Sequence, residues 1–365
     1  MIGWGVVKRW RRQRRIAVIP LALALSALAA PAPPATGSRS SPLAGSAATC
    51  PSGTTPAPAA RTVTIGYAGI SGAFPFVQDI NGGMAWAAEC AGVDLVTVDN
   101  GYDPDQTIEA ANALIARGVD VAIEFQTDAG VSSKLCDVFE AAGIPVIAIE
   151  VPEPCAVAFG ADNRAAGDIA GQHLARFATA RWDGQVDALV VLKMPADGAL
   201  PTGGPAVDLR ADGAVEAVKA ALPALPDDQI IRVDGNGTVE ESRAAMADVL
   251  TRLVDANHIL VFASNDAGAV VALRAVEDAG RLDQVAIAGQ GATIEARDEI
   301  CAGSAALIGS VAYFPERYGE QVIPLAVALA GGATPPASIT TDRAWVDATN
   351  LARYYPDECP LASSP

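Results

Sequence analysis

The stretch ILVFASNDAGAVVALRAVEDAG, at positions 259–280, decides the fold of this chain. Its first five residues form an apolar run of strand length, and a helical pattern begins immediately after Asn265 and Asp266. A buried strand that leads directly into a helix is typical of parallel α/β sheets. Because one polar residue is enough to cap the helix, the second is a candidate for contacting a ligand.

The same alternation of apolar strand and helix continues along the chain from position 61. Four such strands precede the sequence GADN at 160–163, and five follow it. The apolar runs are continuous, as expected for strands that are covered on both faces. Two successive series predict an α/β fold with two doubly wound, Rossmann-like parallel-sheet domains; one large doubly wound sheet is the alternative.

The N-terminus predicts export. Residues 1–29 have the features of a signal peptide: a basic segment, an apolar segment, and a cleavage site at Ala27-Leu28-Ala29. The apolar segment is short for a membrane span, although an uncleaved anchor is the alternative. Residues 30–60 are rich in Pro, Ala and Ser and predict a disordered linker. We therefore expect the protein at the periplasmic or extracellular face of the membrane, with tethering through this linker left open.

The charge of the chain argues against a nucleic-acid partner. Removing residues 1–29 takes away six positive charges and changes the formal net charge from −17 to −23. A surface that is so acidic repels phosphate backbones.

Six cysteines in an exported chain predict disulfides rather than a metal site. No CxxC pair occurs, and the two histidines are far from the cysteines in sequence. The favoured pair is Cys136 with Cys155, because both flank the predicted strand at 146–149. The remaining pairings are open.

The candidate binding residues follow the apolar runs, because ligands of doubly wound sheets bind beyond the carboxyl ends of the strands. Amides, carboxylates and aromatic rings suit a polyhydroxylated small molecule. Alternatively, the aromatic residues belong to the core and the carboxylates to solvated loops. Arg210 opens a helix, where a cation opposes the helix dipole, and this mismatch favours a binding role. The candidates are Phe74, Phe76, Glu124, Gln126, Glu150, Arg210, Asn236, Asn265, Gln290 and Tyr313.

Catalytic motifs are missing from the sequence. It has no GxSxG, no GxxxxGK[ST] and no HExxH, and no plausible pair of nucleophile and base. We therefore expect a binding protein rather than an enzyme, and no cofactor.

Several motifs together resemble one family over about residues 62–347. They are FPF at 74–76, GADNRAAGDIAGQHLA at 160–175, RADGAVEAV at 210–218 and FASNDAGAVVALRAVEDAG at 262–280. The chain resembles the type I periplasmic, ribose-binding-protein-like sugar-binding proteins, which are the solute-binding components of ABC importers. The resemblance implies that Phe74 and Phe76 enclose a sugar ring, and that Arg210 and Asn265 bind its oxygens. It also implies that Asp266 caps the following helix.

The sequence departs from the family pattern within the expected pocket. Glu150-Val151 replaces an Asp-Arg pair, Gln290 replaces an aspartate, and Glu124 replaces a frequent asparagine. Tyr313 stands where glutamine is common, and Asn236 lies in a Gly-Asn-Gly sequence where an aromatic residue can occur. These changes indicate a sugar, a polyol or an amine-bearing ligand, without indicating a pentose.

The family layout implies two lobes that are joined by a three-strand hinge. The N-terminal lobe would contain residues 61–160 and 314–342, and the C-terminal lobe residues 161–313 and 343–365. A ligand that contacts both lobes favours their closure. The implied partner is a membrane ABC permease, and the alternative is a membrane sensor kinase that reads the closed form. We expect a monomer.

Overall fold

A computed structural model describes residues 50, 62–70, 75–101, 103–126, 128, 130–193, 205–235 and 239–359. The predicted signal peptide and, except for Cys50, the predicted linker lie outside these residues.

Strands and helices alternate through most of the described chain. The strands are β1 (Thr64–Gly69), β2 (Asp94–Asp99), β3 (Val121–Glu124), β4 (Val146–Ile149), β5 (Val157–Gly160), β6 (Ala188–Lys193), β7 (Ile230–Asp234), β8 (Ile259–Ala263), β9 (Val285–Gly291), β10 (Leu307–Ala312), β11 (Ser338–Thr340) and β12 (Ala344–Val346). The helices are α1 (Pro75–Ala91), α2 (Pro104–Ala116), α3 (Ser132–Ala142), α4 (Asn163–Trp182), α5 (Pro205–Ala221), α6 (Val239–Arg252), α7 (Asp266–Asp278), α8 (Ile294–Cys301), α9 (Tyr318–Ala330) and α10 (Leu351–Tyr354).

The strands form two six-stranded sheets within one compact unit of the chain. The first sheet has the order β11-β5-β4-β3-β1-β2, and all of its pairs are parallel. The second sheet has the order β12-β10-β9-β8-β6-β7. Its edge strand β12 runs antiparallel to β10, whereas its other pairs are parallel. The prediction of two doubly wound sheets is confirmed, with β12 as an antiparallel addition.

The central strand β8 shows why its sequence is a continuous apolar run. All five of its residues are buried. Val261 packs into the apolar core on one face of the second sheet, and Phe262 packs into the core on the other face. Helices cover both faces, so alternation between apolar and polar residues would place polar groups in a core.

The chain passes three times between the two sheets. The passages connect β5 to β6, β10 to β11, and β11 to β12. Because β4 and β8 end in different sheets, residues beyond their carboxyl ends meet only through the tertiary fold. The exact lobe boundaries given above stay a prediction.

Three disulfides join the described cysteines: Cys50–Cys90, Cys136–Cys155 and Cys301–Cys359. Cys136–Cys155 ties α3 to the loop between β4 and β5. Cys50 is bonded to Cys90 on α1, so its sulfur is not a free thiol. Among the described residues, no helix is both long enough and apolar enough to cross a membrane.

Helices α4 and α5 pack closely because glycines face the partner backbone. A Cβ atom at Gly167 would collide with the carbonyl oxygen of Arg210, and one at Gly213 would collide with that of Arg164. The two glycines therefore set the distance between the helices. This packing places Arg210, on the first half of α5, against α4.

We expect Gly167→Ala to destabilise the protein by about 1–3 kcal/mol, because the added methyl group must push α5 away. Helix propensity alone would act in the opposite direction, by about 0.5–1 kcal/mol. Urea denaturation measures the difference, with Gln172→Ala on the exposed face of α4 as the control. A stabilised Gly167→Ala variant would show that the close approach is absent in solution.

Candidate functional site

The described candidate residues lie at the carboxyl ends of strands or in the first half of helices. The expectation that Arg210 opens a helix is wrong, because α5 begins at Pro205 and Arg210 is its sixth residue, so the argument from the helix dipole does not apply. Glu124 ends β3, and Glu150 directly follows β4 in the first sheet. Gln290 lies near the end of β9, and Tyr313 directly follows β10 in the second sheet. The other described candidates are Phe76 on α1, Gln126 after β3, Arg210 on α5 and Asn265 after β8. Phe74 and Asn236 lie outside the described residues.

Arg210, on α5, contacts residues that follow strands of both sheets. Its Nη2 lies 3.8 Å from Oε2 of Glu150, and both side chains are less than 10% exposed. Its Nε donates to Oδ1 of Asn163 at 2.6 Å, and its Nη1 donates to the carbonyl oxygen of Ser264 at 3.3 Å. Its guanidinium carbon lies 5.0 Å from the centre of the Tyr313 ring. Arg210 therefore joins the end of β4 to α4 and to the ends of β8 and β10.

Glu150 is the partner of Arg210 from the first sheet. The hydroxyl of Tyr318, at the start of α9, donates to its carboxylate. Burial raises the pKa of Glu150, whereas Arg210, Tyr318 and the backbone N–H of Ala161 oppose that rise. A buried carboxylate is costly unless it is paired and hydrogen-bonded, and Glu150 has both kinds of partner.

Tyr313 and Gln290 form a second polar contact beside Arg210. The Tyr313 hydroxyl donates to Oε1 of Gln290, and Nε2 of Gln290 donates to the carbonyl oxygen of Ala166 at 3.2 Å. The rings of Phe76 and Tyr313 make an edge-to-face contact, with their centres 6.5 Å apart and their planes perpendicular. Phe76 also packs against the cores of both sheets. Phe76, Gln290 and Tyr313 are each predicted from a different segment of the sequence, and the fold brings their side chains into contact through Tyr313.

The assignment of Asp266 as the helix cap is wrong. Asn265 is the N-cap of α7, and its Oδ1 accepts the Gly268 N–H at 2.8 Å. Asp266 is buried and accepts from the Ser310 hydroxyl at 2.6 Å and the Thr293 N–H at 2.7 Å. Asp266 points into the second sheet because Ser310, on β10, and Thr293 supply donors there. Binding of a ligand by Asn265 stays a prediction, now for a residue that also caps α7.

A second group of acids lies at the end of β3. Glu124 and Gln126 are buried there together with Glu153, from the loop between β4 and β5. Nε2 of Gln126 donates to the Ser132 hydroxyl at 3.0 Å and to Oε1 of Glu153 at 3.2 Å. Burial raises the pKa of Glu153 to about 7, and burial followed by the charge of Glu153 raises the pKa of Glu124 well above its usual value.

Sequence reasoning missed four residues of these networks: Asn163, Tyr318, Glu153 and Ser132. Asn163 belongs to the GADN sequence that follows β5, so its position was visible in the pattern. Tyr318 lies inside a helical pattern, and Glu153 and Ser132 lie several residues beyond a strand end. Most of the candidates are residues that directly follow an apolar run, and this criterion excludes Tyr318, Glu153 and Ser132.

A groove of about 550 Å³ lies elsewhere, between α6 and α7. It is lined by residues such as Arg243, Val254 and Asp278 and contains none of the predicted site residues. The groove lies along two neighbouring surface helices, away from the carboxyl ends of the strands where the candidate binding residues lie.

Comparison with known proteins gives the class. Residues 65–334 match the periplasmic binding protein domain family. The chain is 26% identical over 275 residues to the ribose import binding protein RbsB of Escherichia coli, which covers 73% of this chain and 85% of the relative. The chain therefore belongs to the periplasmic binding protein family, and the predicted resemblance is confirmed.

Solved structures share the fold. A solute-binding protein of an ABC transporter from Mycobacterium smegmatis, with bound glycerol, has a TM-score of 0.68 and 23% identity, covering 80% of this chain and 96% of that chain. A periplasmic solute-binding protein from Actinobacillus succinogenes, with bound D-allose, has a TM-score of 0.69 and 21% identity, covering 80% and 100%. One from Bacillus halodurans, with bound myo-inositol, has a TM-score of 0.68 and 20% identity, covering 82% and 99%.

We expect Arg210→Ala to cost about 3–5 kcal/mol of stability, because Glu150 is left buried without its countercharge. Adding Glu150→Gln to that variant should recover part of the loss, since the uncompensated charge is then removed. Urea denaturation of both single variants and the double variant gives the coupling energy. Strictly additive effects would mean that the two side chains are apart in the ligand-free protein.

We expect the ligand-free protein to lose stability as the pH rises from about 4.5 to about 7. Burial raises the pKa of Glu153 to about 7 and that of Asp266 to about 6, so both protonated forms favour the fold. Their contribution is complete below the unfolded pKa values and disappears as the pH passes the folded ones. For Glu153 the change is up to about 3 kcal/mol.

Melting temperatures across this pH range measure the effect. Glu153→Gln should flatten the profile, whereas Glu140→Gln, at an exposed position of α3, should leave it unchanged. A profile of the wild-type protein that rises over the same range contradicts the expectation.

Proposed function

We propose that the protein captures a sugar or a related polyhydroxylated small molecule between two closing lobes and delivers it to an ABC-type permease. The observation that carries the proposal is the Arg210–Glu150 contact, because it brings the carboxyl ends of strands from the two sheets together. Ligands bind at these ends in doubly wound sheets.

The sheet membership of the strands supports the proposed lobes. Residues 61–160 and 314–342 would form one lobe around the first sheet, and 161–313 and 343–365 the other lobe around the second. The chain passes between the sheets in three places, which supports a hinge of three segments. Polar side chains from both lobes then contact the ligand, so that ligand binding favours closure.

The relatives support the ligand class and the partner. RbsB is a ribose import binding protein, and the structural neighbours hold glycerol, D-allose and myo-inositol. Each of these molecules carries several hydroxyl groups. Because RbsB is an import binding protein and the structural neighbours are solute-binding proteins of ABC transporters, a permease is favoured over a sensor kinase as the membrane partner. Export is part of the proposal, as is action as a monomer.

The proposal is a binding activity without turnover. The relatives are binding proteins, and the polar groups at the strand ends contact one another as hydrogen-bond partners. No nucleophile is placed beside a general base in the two networks built on Arg210 and Glu124.

Thermal denaturation with D-ribose, D-allose, myo-inositol and glycerol tests the binding. A ligand present at a hundred times its dissociation constant should stabilise the protein by about 2.7 kcal/mol. Small-angle scattering should then show a smaller radius of gyration, because the lobes close. If no member of this panel or of a wider set of sugars and polyols raises the melting temperature, the proposed function is wrong.

Two variants separate capping from binding at Asn265. Asn265→Ala should cost about 1 kcal/mol, because the acceptor for Gly268 N–H is removed. Asn265→Asp keeps this acceptor and should keep the stability, yet it should reduce the ligand-induced shift because it lacks the amide donor. Asn112→Asp on the exposed face of α2 is the matched control. An unchanged ligand shift in Asn265→Asp removes this residue from the site.

A further inference from the structure

The acid cluster of Glu124, Gln126 and Glu153 has hydrogen-bond acceptors without donors. Both carboxylate oxygens of Glu124, Oε1 of Gln126 and Oε2 of Glu153 are buried and have no hydrogen-bond partner among the residues that the structure describes. The three side chains belong to residues that are 1%, 3% and 5% exposed. Leaving a buried acceptor unsatisfied costs about 1–3 kcal/mol, and more when the group is charged. Four such atoms together indicate that a donor is supplied from elsewhere.

The cluster is also short of positive charge. Among the residues that the structure describes, neither Glu124 nor Glu153 forms an ion pair with a lysine or arginine. The internal segments that are not described, 71–74, 194–204 and 236–238, and residues 102, 127 and 129 contain no lysine, arginine or histidine, whereas the undescribed N-terminal residues contain eight cations, among them Arg39 and Arg61. Glu150 differs in this respect, because Arg210 lies beside it.

The cluster adjoins the contact between the sheets. Glu124 pairs in register with Ala148 of β4, two residues before Glu150. It therefore lies at the same sheet edge from which Glu150 reaches Arg210. The Cys136–Cys155 disulfide lies beside Glu153, since both sulfurs lie within 4.8 Å of a Glu153 carboxylate oxygen, and the Cys155 N–H donates to the Cys136 sulfur.

The kind of donor follows from the number of acceptors and their charge. An ammonium group has three N–H donors and one positive charge, whereas a hydroxyl group has one donor and no charge. A calcium ion takes six to eight oxygen ligands, which is more than the four free acceptor atoms. The two cysteines are joined in a disulfide and do not offer thiolates to a softer metal.

We propose that Glu124, Gln126 and Glu153 bind the protonated amine of the ligand, so that the protein takes an amino sugar or an amino polyol. This inference rests on the proposed function and narrows its ligand class. The Arg210 end of the site would contact the hydroxyl oxygens, and the acid cluster would contact the ammonium group. A neutral sugar of the same shape would bring no positive charge to the two buried acids, whereas an ammonium group would favour their charged forms.

Matched pairs of small molecules test the inference on the full chain. We would compare D-glucosamine with D-glucose, 1-amino-1-deoxysorbitol with sorbitol, and an amino-inositol with myo-inositol, by thermal denaturation and calorimetry. In at least one pair the amine should bind at least about tenfold more tightly, as expected for charge-assisted hydrogen bonds. Acetylation of the amine should abolish the advantage, because it removes the charge.

Variants of the acid cluster test whether it causes the tighter binding of the amine. Glu124→Gln and Glu153→Gln should each reduce the preference for the amine by about tenfold or more. The preference is the ratio of the two affinities in the same variant, so a loss of binding that affects both members equally does not change it. Glu140→Gln, at an exposed acid of α3, should change neither.

The remaining outcomes are distinguishable. Neutral members that bind as well as the amines would overturn the amine inference and leave the proposed function standing. Stabilisation by calcium chloride that is reversed by EDTA and lost in Glu124→Gln would assign the cluster to a metal ion instead. A chain that responds to no amine, no neutral sugar and no polyol would overturn both the inference and the proposed function.

Discussion

The ion pair between Arg210 and Glu150 is the constraint on which the arrangement of the site depends. A guanidinium group and a carboxylate that are both nearly excluded from water are stable together only if each keeps its partners. Arg210 keeps Asn163, the Ser264 carbonyl oxygen and the Tyr313 ring, and Glu150 keeps Tyr318. These partners come from both sheets, so a single pair fixes the relative positions of several strand ends.

Backbone packing supports this pair from a distance. Gly167 and Gly213 allow α4 and α5 to approach so closely that no Cβ fits between them, and this approach holds Arg210 in place. Glu150 has a positive φ of 62°, and Gly160 lies close to its backbone, where a Cβ would come within 2.9 Å of the Glu150 Cα. A left-handed glutamate is unfavourable in isolation. Its conformation is maintained because its carboxylate is fixed by Arg210 and Tyr318.

The two acidic groups at the ends of neighbouring strands have opposite environments. Glu150 has a cation and a hydroxyl donor, whereas Glu153 accepts from the amide of Gln126 and, within the described part of the chain, Glu124 accepts from no donor. Glutamate therefore has two different environments at the same edge of the first sheet. Glu150 supports the contact with Arg210 of the second sheet, whereas Glu124 and Glu153 have acceptor atoms without donors among the described residues. This difference is a matter of partners and could not be read from the residue type.

The sequence alone determined the two-sheet α/β fold, and it selected candidate binding residues that lie at strand ends, such as Glu124, Glu150 and Tyr313. Both follow from local patterns: apolar periodicity and the edge at which parallel strands end. The short strands β5, β11 and β12 were not predicted, because three or four residues carry little periodicity. Only the tertiary structure decided that Asn265 caps α7 and that Asp266 turns inward to Ser310 and Thr293. Either residue can cap a helix, and the choice depends on donors that arrive from β10 and from the residues after β9, far away in sequence.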